Sequence, residues 1–427
     1  MTTLPVSAMP GTSAKLRRLS GYEHLFWAVD QINGFNFGIA VSFRGIIPHA
    51  RWKAAFDRVQ RRHPFLNVAI NSDDPHAPFF IPGAGLPVPL VFLRRKSPHD
   101  WQRVMESDVA EPFDLSMGPL VRAALLEDAA GCDLVVTANH IVIDGMGVLA
   151  LVRDLLQTLA GQPLTDLPIP LSAEARVARA VPVPVPPASA NGDAQPSAPP
   201  AAGRGFVSRN RKGKAAISSI RISPEQTAQL QRHARREQTT IGAVLLAMMD
   251  STVRSLSPSL KEAELQLVTP IDLRPHLGNK GDFVLSILSA RAISAPSDRG
   301  LFANARSLKS QIVPFQSAAA AAATFGRIET LLAQKLDAST IVNIAAQGFG
   351  HDVLVSNLRT VEFPTLPDGL AVESVWGPSV LVGVEGEQMI GSATFGGALH
   401  LVYSSFTPIP GLLEADEKKI VSACEDA

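Results

Sequence analysis

The stretch NHIVIDGMGV at residues 139–148 sets three chemically distinct groups into an otherwise apolar run: His140, then Asp144, then Gly145. An imidazole whose ordinary pKa lies near neutrality can take a proton from a hydroxyl or an amine and return it to a leaving group, which is what acyl transfer requires. A histidine between apolar neighbours also serves as a hydrogen-bonded structural residue. The spacing H-x-x-x-D-G arises by chance in roughly one chain in twenty or thirty at average composition, so its surroundings must decide. Glycine at 145 permits a tight turn.

The elements that must position these residues follow from periodicity. DLVVTA, 133–138, is β-prone, and GVLALVRDLLQTLAG sets Val148, Leu151, Val152, Leu155 and Leu159 at helical spacing before Gly161 and Pro163. His140 therefore belongs to a strand-to-helix junction, where a side chain can face a cleft while the scaffold holds it still. Upstream, RWKAAFDRVQRRHP places Trp52, Phe56 and Val59 on one helical face and stops before Pro64, and SPHDWQRVMESDVA offers Ser97 as a helix cap with Pro98 behind it. Downstream, Ser223 and Pro224 open a helix, TTIGAVLLAMMDSTVR reads as a largely buried one, and the Ala-rich run near Ala318 as another. Strands are expected around LQLVTP, FVLSILSARAIS, DVLVSN and ALHLVYSSF.

With 427 residues the chain exceeds what one core usually supports, and a Pro- and Ala-rich stretch divides it near the middle. The expected organisation is an α/β chain with a first subdomain at 1–172, an extended crossover at 173–215 and a second subdomain at 216–427. Lys plus Arg and Asp plus Glu are both 39, so bulk charge argues for neither nucleic acid nor an anionic membrane surface. No secretory leader or membrane-length apolar run is read, and a soluble cytoplasmic protein is the expectation. Cys132 and Cys424 lack metal-ligand or redox spacing, which leaves neither a disulfide framework nor a metal site to propose.

Several stretches, in order, carry a resemblance: LSGYEHLFW (19–27), RRHPFL (61–66), EPFDLSMGPLVRAALL (111–126), the His140 motif, VTPIDLRPHLG (268–278), VSNLR (355–359) and GGALHLVYSSF (396–406). Together they resemble the condensation-domain and chloramphenicol-acetyltransferase-like acyltransferase superfamily, which includes polyketide-associated acyltransferases, alcohol acetyltransferases and free-standing condensation enzymes. The resemblance implies two α/β sandwich domains with a tunnel at their interface and His140 as general base, without a covalent acyl-enzyme. It implies that Asp144 pairs with Arg274 to support the catalytic loop. Gly145, through its backbone N–H, and Ser356 and Asn357 are the candidate oxyanion or tunnel contacts. Asn139 stands where the family often has a first histidine, and no DFGWG occurs near the C-terminus, which points away from a plant-type enzyme.

The implied function is acyl transfer from acyl-CoA or a carrier-protein-bound phosphopantetheinyl thioester, used as substrate, to a small-molecule hydroxyl or amine, in specialised-metabolite or lipid biosynthesis. No separate cofactor is expected. Two alternatives stand beside it: a condensation enzyme restricted to carrier-bound donors, and a non-catalytic docking module. His63 after two arginines offers a phosphate patch, but its place before Pro64 favours a helix stop. His276 and His351 read as surface histidines, and RNRKGK at 209–214 as a solvated run rather than a carrier-protein contact.

Overall fold

The structure is a computed structural model that describes residues 15–181, 214–277, 283–367 and 369–425. The first half runs β1 (Arg17–Arg18), α1 (Gly21–Asn33), β2 (Asn36–Arg44), α2 (His49–Arg62), β3 (Val68–Asn71) and β4 (Phe79–Pro82). It continues through β5 (Leu90–Arg94), α3 (Asp100–Ala110), β6 (Val121–Glu127), β7 (Gly131–Asn139), α4 (Gly145–Leu159) and α5 (Ala173–Ala180). The second half opens with β8 (Ala216–Ile222), α6 (Pro224–Arg236), α7 (Ile241–Leu256), β9 (Leu265–Asp272) and β10 (Ile287–Ser294). Three helices follow, α8 (Leu301–Ile312), α9 (Ala318–Leu332) and α10 (Ala338–Phe349), then β11 (Val353–Thr360), β12 (Ala371–Val380), β13 (Gln388–Phe395), β14 (Ala398–Ser405) and α11 (Leu412–Glu425).

Two mixed sheets organise these elements, one of five strands in the order β12-β2-β7-β6-β5 and one of six in the order β10-β9-β11-β13-β14-β8. The short strands β1, β4 and β3 form a third. Helix α2 buries Trp52, Phe56 and Val59, the apolar stripe visible in the sequence, and ends on His63. Helix α6 starts with a reciprocal cap, in which the Ser223 hydroxyl accepts from the Gln226 N–H while the Gln226 side chain accepts from the Ser223 N–H. Strand β7 is buried along its whole length, and α4 packs its Leu and Val face inward, so the junction between them sits deep in the fold.

Three expectations need correction. Ser97 does not cap α3. The Asp100 carboxylate instead folds back to accept from the Lys96 and Ser97 N–H groups, closing a turn that moves the helix start to residue 100. The crossover expected from 173 is not extended at its beginning, because Ser172 caps a helical turn there and α5 buries Ala173, Arg176 and Val177; residues 182–213 lie outside the described residues. Nor is 216–427 a self-contained unit: β12 leaves it to pair antiparallel with β2 in the sheet of the first half. The pairing of β12 is irregular between Trp376 and Ser379, where Pro378 sits; proline is tolerated within a sheet at such bulges. The strand is hard to read in the sequence for that reason.

At that bulge the two large sheets touch. A Cβ on Gly391 of β13 would lie 1.8 Å from the Pro378 carbonyl oxygen, so only glycine allows the approach. The Ser379 and Ser404 hydroxyls bridge the same contact at 2.7 Å.

Candidate functional site

The five residues from His140 to Asp144 connect β7 to α4, and both ends are pinned. Asn139, fully buried, donates from Nδ2 to Asp30 Oδ1 (2.7 Å) and Asn36 Oδ1 (3.2 Å) and accepts from the Ile141 N–H (3.0 Å). The His140 N–H donates to the Phe35 carbonyl at 2.7 Å. At the other end Asp144 caps α4, with Oδ1 accepting from the Gly147 N–H at 2.9 Å. The backbone of His140 thus has little freedom to move.

The His140 ring is only 6 % exposed. Phe26 of α1 meets it edge-on at 5.3 Å, while Phe35 and Phe37 tilt against it at 5.0 and 4.5 Å. These apolar walls withhold water from an imidazolium, and burial pushes the pKa down to about 4. The Asp144 carboxylate and the carbonyls of His140 and Ile143 oppose that shift more weakly. The imidazole is therefore neutral across the physiological range, which leaves it able to accept a proton.

Asp144 makes no hydrogen bond to His140. Its Oδ1 accepts from Arg274 Nη2 (2.8 Å) as well as Gly147, and its Oδ2 accepts from Arg274 Nη1 (3.0 Å) and the Ser286 N–H (2.7 Å). Arg274 in turn donates to Asp272 Oδ1 (3.1 Å) and the Val284 carbonyl (2.9 Å), and the side chains of Asp144 and Arg274 are 1 % and 4 % exposed. Burial works against the Arg274 charge, but the Asp144 and Asp272 carboxylates together outweigh it, and the guanidinium pKa lies above its ordinary value. The carboxylate thus links three segments: the start of α4, the turn after β9 and the strand entry at β10.

His140 opens onto a cavity of about 200 Å³ walled by both halves. From the first half come Phe26, Phe35, Phe37, Gly145 and Met146; from the second, residues of β9, β10, β11 and β12. Ser356 and Asn357 line it, and Ser356 is largely buried. Asn357 Oδ1 is already engaged by the Arg359 N–H at 2.7 Å, which ties it to shaping the end of β11. The tight-turn role expected of Gly145 is corrected by its place as the first residue of α4, outside the positive-φ glycines. A Cβ there would come within 2.9 Å of Leu358 Cδ2, so the glycine lets the two halves pack closely without displacing that side chain.

The remaining sequence candidates, His351 excepted, fall elsewhere. His63 is buried away from this cavity, its Nε2 2.7 Å from Asp154 Oδ2, and it ties α2 to α4 together with Arg62. His276 is exposed in the 3₁₀ turn Arg274–His276. His351 is not a surface residue: it lines the cavity, 1 % exposed, 3.3 Å from the buried Glu387. It precedes β11 between Gly350 and Asp352, a local context that reads as a loop, and its burial beside Glu387 comes from a segment 36 residues further along the chain. Of RNRKGK only Lys214 lies within the described residues, where it is 83 % exposed.

Sequence reasoning also missed a second cavity of about 540 Å³ that shares Pro270, Asn357, Arg359 and Thr360 with the first. Arg235, Lys309 and Arg359 bring three cationic side chains to it, beside the N-terminus of α7. They come from α6, α8 and β11, so no run of basic residues announces them. Among the described residues, no helix is long and apolar enough to cross a membrane.

Two α/β halves that share a sheet strand and enclose a histidine between them define a two-part α/β architecture. The family model of the condensation domain matches residues 28–172, and that of the phthiocerol/phthiodiolone dimycocerosyl transferase C-terminus matches residues 211–279. This chain belongs to the condensation-domain and chloramphenicol-acetyltransferase-like superfamily. It is similar to malpinin synthetase of Mortierella alpina, 30 % identical over 149 residues, and to tyrocidine synthase 3 of Brevibacillus parabrevis, 28 % identical over 138 residues. Those matches take in 33 % and 32 % of this chain but span only 2 % of either relative. Among solved structures, polyketide synthase associated protein 5 from Mycobacterium tuberculosis has a similar fold, with a TM-score of 0.65 at 18 % identity over 97 % of this chain and 99 % of that one. So has TRI3 trichothecene 15-O-acetyltransferase from Fusarium sporotrichioides, with a TM-score of 0.65 at 14 % identity over 98 % and 96 % of the two chains.

Proposed function

We propose that this protein moves an acyl group from a thioester to a hydroxyl or amine, with His140 as the general base, in the making of a specialised metabolite or lipid. The observation that carries the reading is a neutral imidazole, held by a pinned junction, facing a cavity that both halves build. His140 takes the acceptor proton as the oxygen or nitrogen attacks the thioester carbonyl. The tetrahedral oxyanion then collapses, the C–S bond breaks, and the imidazolium returns its proton to the departing thiolate. Apolar walls disfavour the imidazolium on its own, so it forms only as the oxyanion develops beside it. Proton transfer and attack are thereby coupled.

The N–H of Gly145, at the first turn of α4 where N–H groups lack intrahelical acceptors, is the first choice for an oxyanion contact, with Ser356 second. Asp144 and Arg274 support the loop. The basic side cavity fits the phosphate-bearing end of a CoA or phosphopantetheine donor, whose thioester then reaches the first cavity past Asn357 and Arg359. Acyl-CoA and the same acyl group on a carrier protein, each offered with a panel of alcohols and amines, test the reading through thiol release and product mass. A folded His140→Ala variant is expected to lose about 10²- to 10⁴-fold in turnover. Undiminished turnover by that variant would rule out the assignment.

A further inference from the structure

The cavity beside His140 has a direction. On β9, Asp272, Pro270 and Val268 are alternate residues, and all three line it. Asp272 stands at the Arg274–Asp144 end, and Val268 lies four residues back, about 13 Å along the strand. On β11, Leu354 pairs beside Val268, whereas Leu358 packs at Gly145. Between the two ends most of the lining is apolar.

The far end has a rigid floor. His351 lies 3.3 Å from Glu387 Oε2, and Glu387 also accepts the N–H groups of Val382 (3.1 Å) and Gly383 (2.7 Å). An alkyl chain pressing on this floor would have to displace a buried carboxylate from those contacts, which costs far more than one extra methylene contributes.

We infer that Val268 and Leu354, backed by the His351–Glu387 floor about 13 Å along β9 from Asp272, set an upper limit below about twelve carbons on the acyl chain this site accepts. The inference rests on the acyl-transfer reading of the same cavity. Straight-chain S-alkyl pantetheine thioethers of two to twelve carbons, titrated calorimetrically into the full chain, test it without requiring turnover. Affinity is expected to rise about threefold to fourfold per carbon up to the limit and to fall beyond it. Leu354→Ala, and the milder Val268→Ala should the first variant fail to fold, are expected to move the break towards longer chains by about two carbons. A smooth rise through twelve carbons, or a break that neither variant moves, would overturn the proposal. Chain-length-dependent binding with no transfer to any acceptor would leave the length limit standing and remove the proposed reaction instead.

Discussion

The Arg274 guanidinium and the Asp144 carboxylate meet through two hydrogen bonds of 2.8 and 3.0 Å, across 130 residues of sequence and between the two halves of the chain. Every hydrogen bond that Asp144 makes serves the frame of the site, and none reaches the imidazole four residues before it. The pair acts on His140 through position. A charge relay has no path here.

Removing the carboxylate should therefore be costly for the fold. Asp144→Ala leaves the buried guanidinium with Asp272, itself partly exposed, as its remaining carboxylate and strands the N–H groups of Gly147 and Ser286, and is expected to destabilise by about 3 to 5 kcal/mol in urea unfolding. A double-mutant cycle with Arg274→Met should recover a large part of that loss, because the second change removes the buried charge that has lost its bidentate partner. Additive losses would mean that the pair is not coupled.

The acid limb of activity should lie unusually low. The His140 pKa, pushed down to about 4 by burial, keeps the ring neutral and basic above that pH. The profile of kcat/KM, which reports groups of the free enzyme, is expected to stay level from pH 7 towards pH 5 and to bend near 4. A bend at 6.5 would show an imidazole in contact with bulk water.

Stability should fall over the same range. His140 and the buried His400, beside Trp376, both have folded pKa values of about 4, below the ordinary 6.5 of an unfolded chain. Between these values the unfolded state binds more protons, so stability drops as pH falls and is recovered as pH rises through 6.5. Each ring contributes about 2 kcal/mol of loss from pH 7 to pH 5. His400→Leu should narrow the measured difference by that amount, and an unchanged slope would show that His400 is not buried in its neutral form.

Three glycines should rank by what an added methyl group meets. Gly391→Ala drives a Cβ to 1.8 Å from backbone at Pro378 and is expected to prevent folding. Gly145→Ala presses at 2.9 Å on the flexible end of Leu358; it should cost about 1 to 3 kcal/mol and be relieved by Leu358→Ala. Gly326→Ala, within α9 and facing open space, should stabilise by roughly 0.5 to 1 kcal/mol. Thermal melts of the three variants and the Leu358 double would establish the order.

What the sequence determined by itself is local. The strand before His140, the helix after it, the apolar stripe of α2 and the cap of α6 all follow from side-chain periodicity and from N–H groups satisfied within a few residues, so neighbouring letters were enough to read them. The resemblance carried by the motifs in chain order implied the pairing of Asp144 with Arg274. The tertiary structure decided the rest: β12 crossing into the other half, His351 buried beside Glu387, three cations gathered from α6, α8 and β11, and an imidazole kept neutral by Phe26, Phe35 and Phe37. Exclusion of water depends on which distant surfaces meet, and that is a property of the assembled fold which no short window of residues contains.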